Sequence, residues 1–106
     1  MIVVDMQKDF CSEDGALFIG NTVNAIIARI SGLIERAIRK EVHLIFAQDW
    51  HSHDDDEFEI WRQHCVRETS GAEVIDEFLP LVKEAYVIND VLKGTITNSD
   101  ALSFSI

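Results

Sequence analysis

Asp49-Trp50-His51 and, further along, His64 bring one carboxylate and two imidazoles into a short stretch of chain. Mixed nitrogen and oxygen ligands of this kind suit zinc, iron or manganese, with geometry rather than raw affinity deciding among them. Glu57 lies between the histidines and could complete a set of four protein ligands. Asp-x-His is a weak signal by itself, so the spacing leaves two readings open: a metal centre, or a polar loop whose histidines are merely exposed. His53 is a competing ligand, but Asp54, Asp55 and Asp56 beside it argue that it faces solvent. That acidic run lacks the spacing and glycine of an EF-hand and reads as a solvated loop.

Two further residues could move or hold a proton. Asp5 follows four apolar residues, Met1–Val4. A carboxylate at a half-buried strand end can serve as a general base when its pKa is tuned, though the same residue also reads as a capping Asp. Lys93, with Gly94 after it to permit a tight turn, is the second, against the ordinary fate of lysine as a solvated surface charge. Cys11 and Cys65 read as structural. Neither stands between a strand and a helix start, the setting that lowers a thiol pKa, and free cysteine is usually a small buried hydrophobe. A thiolate at Cys65, next to His64, would tend to become another ligand.

These residues must be positioned by regular elements. Met1–Val4 is a short apolar strand, and the glycine-bearing stretch from Gln7 to Gly20 reads as a loop. From Thr22 onward, Val23, Ile26, Ile27, Ile30, Leu33, Ile34, Ala37 and Ile38 recur at helical spacing. Asn21 or Thr22 can cap that helix, while Arg36, Arg39 and Lys40 suit the negative end of its dipole. Gly32 inside it costs about 1 kcal/mol relative to Ala. His43–Ala47 predicts a second buried strand. The polar connection 49–71 exceeds the roughly 12–15 residues usual for an unstructured loop, which marks it as functional. A short helix is expected over Ala72–Leu79, closed or kinked by Pro80, then a third strand over Ala85–Ile88; the tail from Lys93 to Ile106 has no clear period.

Strand, helix, strand, helix, strand predicts an α/β fold with a parallel sheet and right-handed crossovers. Ligands of such sheets gather at the carboxyl ends of the strands. Those ends carry Asp5, then Asp49 with His51, then Asn89, Asp90 and Lys93. Composition narrows the class. The chain has 106 residues, room for one domain. Its net charge of −10 argues against nucleic acid or an anionic membrane as partner. Hydrophobic residues at 47% and charged ones at 26% are the mix of a globular domain rather than a disordered tail. Two cysteines are too few for a disulfide scaffold and fit a reducing cytoplasm. No apolar run approaches the roughly 18 residues of a membrane span, and the N-terminus lacks the pattern of a secretory signal.

Taken together, the motifs resemble those of the nicotinamidase and isochorismatase-like cysteine hydrolases. The matching stretches are Val3-Val4-Asp5-Met6-Gln7-Lys8-Asp9-Phe10-Cys11 with Gly15-Ala16-Leu17; Gln48-Asp49-Trp50-His51; Asp56-Glu57-Phe58; Trp61-Arg62-Gln63-His64-Cys65-Val66; Thr69, Gly71-Ala72-Glu73; and Lys93-Gly94. The resemblance spans essentially all 106 residues. It implies a three-layer αβα, Rossmann-like fold whose sheet has six parallel strands, here about three of them, so that residues 1–106 form a single domain lacking its C-terminal half. It implies Asp5 as catalytic acid/base and Lys93 as catalytic lysine. Asp49, His51 and His64 become metal ligands, joined by Glu57 where family members carry His or Glu; Phe10 and Trp61 become the aromatics flanking the substrate ring.

The Asp-x-His and Trp-x-x-His-Cys-Val pair favours the nicotinamidase branch, since isochorismatases generally lack the metal ligands. The implied cofactor is a divalent metal, zinc first, with iron or manganese as alternatives. The implied substrate is a small amide such as nicotinamide, hydrolysed to nicotinate and ammonia in NAD salvage in the cytoplasm. In the family, a nucleophilic cysteine and its oxyanion hole follow the fourth strand, and this sequence stops at Ile106. The expectation is therefore of a chain inactive alone, whose first strand lies at an exposed sheet edge open to self-association or to a complementing C-terminal half. The other expectations are a metal-binding or dimerising pseudoenzyme and a hydrolase of another small amide.

Overall fold

Leu44 to Asp49 form a strand buried along nearly its whole length, the pattern of a strand covered on both faces. The computed structural model, which describes residues 1–82 and 87–93, places it in the middle of the sheet. The elements are β1 (Ile2–Val4), α1 (Lys8–Cys11), α2 (Val23–Arg39), β2 (Leu44–Asp49), α3 (Leu79–Val82) and β3 (Val87–Lys93), with 3-10 turns at Asp56–Glu59, Ser70–Ala72 and Asp76–Phe78. The order across the sheet is β1-β2-β3 and both pairings are parallel. Val4 is level with Ala47, Ala47 with Val91, and Asp49 with Lys93. The fold is thus the expected α/β arrangement with a parallel sheet.

The core packs between one face of the sheet and α2. Val3, Leu44 and Phe46 from the strands meet Val23, Ile34 and Ala37 from α2, and Ile75 and Phe78 from the segment after the long loop. Burying a side chain such as Ile34 contributes roughly 1.5–3 kcal/mol. The apolar stripe of α2 is wider than the surface it covers. Ile27, Ile30 and Ile38 pack at its margin, but Ile26 and Leu33 stay 42% and 48% exposed. Ile2 and Val4, alternating with buried Val3, are also half exposed, because β1 is covered on one face among the described residues.

Several local expectations are corrected. Thr22 makes no side-chain cap, because its backbone is already helical (φ −61°, ψ −19°); the carbonyls of Gly20 and Asn21 accept from the N–H groups of Val23 and Asn24 instead. The Gln7–Gly20 loop contains the single turn α1. The expected helix Ala72–Leu79 is broken, since Val74 pairs with Gln7 in an antiparallel bridge and the Ile75 N–H donates to the Met6 carbonyl. Pro80 then lies in the first turn of α3, where its missing N–H costs nothing, rather than at a helix end. The third strand begins at Val87; Ala85 and Tyr86, the start predicted for it, lie outside the described residues, as do Gly94 and the tail. Among the described residues no helix is long and apolar enough to cross a membrane.

Candidate metal centre and adjoining cavity

β2 ends at Asp49, and two residues later His51 turns back into the molecule, 1% exposed. Its backbone is bridged to Val66, with the His51 N–H donating to the Cys65 carbonyl (3.0 Å) and the Arg67 N–H to the His51 carbonyl (2.9 Å). The long loop is thereby folded back so that His64, 4% exposed, faces His51 with ring centroids 4.9 Å apart. Phe58 lies edge-on to both imidazoles, 5.4 and 5.5 Å away, and limits their rotation.

The ring hydrogen bonds decide which nitrogens are available. His51 Nδ1 lies 3.1 Å from the buried Asp55 carboxylate, and His64 Nδ1 lies 2.6 Å from the Arg62 carbonyl. Both partners are acceptors, so in the neutral rings Nδ1 carries the proton and Nε2 presents a lone pair. His51 Nε2 is buried and makes no hydrogen bond. Carboxylate oxygens converge on the two Nε2 atoms: Glu57 Oε2 at 3.1 Å from His51 and 3.3 Å from His64, and Asp49 Oδ2 at 3.6 and 3.9 Å. Ligand atoms placed tetrahedrally at 2.0–2.2 Å from zinc stand roughly 3.3–3.6 Å from one another. The donors therefore fit a divalent cation. Asp49, His51 and His64 offer ligand atoms all within 4.8 Å of one another, and Glu57 adjoins that trio through its contacts to both histidines.

Burial alone would lower the His51 pKa, but Asp49, Asp55 and the Glu57 charge outweigh it and hold it above the ordinary value. The same negative field attracts a metal cation, which would have to displace that proton. A cavity of about 360 Å³ opens beside the cluster, lined by Phe10, Leu17, Ile19, Asp49, Glu57, Trp61 and His64. Its size and largely apolar walls with a few charged groups are those of a small-molecule pocket.

The structure thus brings together Asp49, His51, Glu57, His64, Phe10 and Trp61. Asp5 and Lys93 lie at the same carboxyl edge by backbone register: the Asp5 N–H donates to the Ala47 carbonyl (2.9 Å), and Lys93 is level with Asp49. Asp5 adopts φ 58°, a left-handed conformation Asp tolerates better than most residues, which turns the chain sharply out of β1. His53 is exposed, as its acidic neighbours suggested. Cys11 and Cys65 are buried and neither lines the cavity. Burial, followed by the charge of Glu77, pushes the Cys11 thiol up, and that of Asp5 adds to it.

Three residues that sequence reasoning left without a role hold the site. Asp55 is only 5% exposed rather than solvated; one oxygen meets His51 Nδ1 and the other accepts the Glu57 N–H (2.9 Å). Gln7, fully buried, bonds the backbone of Asp49. The Asp9 carboxylate accepts from the N–H groups of Cys65 (2.7 Å) and Ala16 (3.1 Å). No local signal marks them: Gln7 and Asp9 stand in the mixed polar stretch Asp5-Met6-Gln7-Lys8-Asp9, and Asp55 within an acidic run.

Comparison with known proteins places the chain in a family and a fold. The Isochorismatase domain family matches residues 1–99. The nicotinamidase of Saccharomyces cerevisiae is 28% identical over 97% of this chain and 60% of its own length. The crystal structure of the Bacillus subtilis nicotinamidase/pyrazinamidase is 30% identical and superposes with a TM-score of 0.77, covering 88% of this chain and 54% of that one. A Pyrococcus horikoshii pyrazinamidase, solved in complex with zinc, is 25% identical with a TM-score of 0.63 over 91% of this chain and 69% of its own. The chain thus spans a little over half the length of the first two.

Proposed function

The chain belongs to the isochorismatase domain family, and from that premise we propose that it carries the metal-binding and proton-transfer side of a nicotinamidase-type hydrolase of small heteroaromatic amides. One observation carries the reading: four ligand atoms from Asp49, His51, Glu57 and His64 converge on the wall of a cavity that Phe10 and Trp61 also line. A flat ring of the nicotinamide class fits between such aromatic walls.

Asp49, His51, His64 and Glu57 would hold a divalent metal, zinc first. When bound, it supplies a Lewis acid beside the ring. Asp5 serves as the acid/base, taking the proton of the attacking nucleophile and returning it to the departing ammonia. Lys93, level with Asp49 at the same sheet edge, serves as the catalytic lysine. The nucleophile is assigned to neither Cys11 nor Cys65, whose thiols are buried away from the cavity. The activity belongs to pyridine-nucleotide salvage.

Equilibrium dialysis against zinc tests the metal: close to one ion per chain is expected, with most of it lost in His51→Ala/His64→Ala. Equal zinc in both proteins would sink the assignment. Titration of the zinc-loaded protein with nicotinamide should change Trp61 fluorescence; no change, in either emission or calorimetry, overturns the substrate class and leaves the metal standing.

A further inference from the structure

We propose that Gln7 and Asp9 are positioning residues for this metal centre, Gln7 by fixing the backbone of Asp49 and Asp9 by pinning the turn that presents His64. The inference rests on the metal reading above. β1 ends at Val4, and the left-handed turn at Asp5 carries the chain away from the sheet edge, the last contact being the Asp5 N–H to the Ala47 carbonyl. Two residues beyond, no strand among the described residues flanks the β1 side of Asp49. The Gln7 side chain takes that place. Its Oε1 accepts the Asp49 N–H (2.9 Å), and its Nε2 donates to the Asp49 carbonyl (2.7 Å) and to the Ala72 carbonyl (2.8 Å). Gripping both backbone groups of one residue fixes its rotation about the chain axis, and with it the direction of the carboxylate.

Asp9 does the same for the second ligand segment. Cys65, the residue after His64, has φ 47°, a left-handed conformation unfavourable for a non-glycine residue. The turn is held from both sides, the Cys65 N–H donating to Asp9 Oδ2 (2.7 Å) and its carbonyl accepting from the His51 N–H (3.0 Å). Asp9 is closely packed against two glycines. A Cβ at Gly71 would collide with its carboxylate, and a Cβ at Gly15 with its backbone carbonyl. One short segment therefore orders a ligand at the end of β2 and a ligand on the loop, through backbone groups that a change of ligand residue would not reveal.

Cobalt(II) and zinc(II) are the probes. Gln7→Met removes all three hydrogen bonds at nearly constant shape, and Asp9→Asn turns an amide N–H₂ toward one of the two backbone donors. Each should weaken zinc binding 10–100-fold, the range typical when an outer partner of a ligand is lost, and should alter the visible cobalt spectrum, which reports ligand geometry. Ile34→Ala, a destabilising change in the core, should leave affinity and spectrum untouched. Should Gln7→Met fail to fold, Asp9→Asn alone decides the outcome. Variants that lose only thermal stability while binding both metals as the unsubstituted protein does overturn the positioning roles. Absence of cobalt binding by the unsubstituted protein overturns the metal centre itself, and these roles with it.

Discussion

Where α2 meets the sheet, Val23, Ile34 and Phe78 are buried essentially completely among other apolar side chains. At the carboxyl edge of the same sheet, His51, His64, Gln7 and Asp55 are buried almost as deeply, but with polar partners within hydrogen-bond reach. The first region tolerates exchange without losing a set geometry, because apolar contact is non-directional, although a smaller side chain forfeits area and leaves a partly filled cavity that costs stability. The second does not, because each bond has one geometry and a removed partner leaves a buried group unsatisfied. Stability is thus concentrated in one region and ligand geometry in the other.

The comparison breaks most completely at the imidazoles. His51→Ala/His64→Ala should abolish nearly all zinc binding, measured by competition with a chelator. The converse change sharpens it: Ile34→Ala should cost about 2–5 kcal/mol of stability in urea and leave zinc stoichiometry unaltered. A loss of both properties in either variant would show that the regions are one cooperative unit. Asp55→Asn is a gentler probe, expected to weaken zinc 10–100-fold through the His51 ring orientation; an unchanged affinity would mean that Phe58 packing alone orients the ring.

The smallest effect concerns Cys11, a buried member of the apolar core. Its thiol pKa is raised by burial in the folded state, so the unfolded chain loses this proton first as pH rises. The neutral thiol contributes stability that is fully present below the ordinary thiol value of about 8.5 and is lost as pH climbs through the raised one. Urea midpoints across that range should fall less for Cys11→Ala than for the unsubstituted protein; parallel slopes would assign the fall to other groups.

The apolar half was largely legible in the sequence. Helical spacing located α2 within a residue of its start, and short apolar runs located β1 and β2. The misread parts are those where a tertiary contact overrides the local pattern: Val74–Ile75, drawn out of a helix to pair with Gln7 and Met6, and Ile26 and Leu33, in phase with the core stripe yet outside it. In the site, Asp49, His51 and His64 announce themselves by type, and Glu57, Phe10 and Trp61 through the family motifs. Asp55 is hidden because its neighbours Asp54 and Asp56 share its charge and not its burial. Gln7 and Asp9 are hidden for a different reason: they act on N–H and C=O groups that every residue carries, so their targets leave no mark in the sequence.

The hydrogen bonds of Gln7 and Asp9 also set an order in time. Gln7 reaches partners 42 and 65 residues away, and Asp9 one 56 residues away. Such closures carry a large loop entropy and form slowly compared with α2, all of whose ladder is local. During synthesis Gln7 precedes Ala72 and must wait, buried by nothing, until that partner has followed it out. The proposed ligands would therefore fall into register only after Ala72 has emerged, and zinc supplied before that moment would meet separate histidines rather than a site.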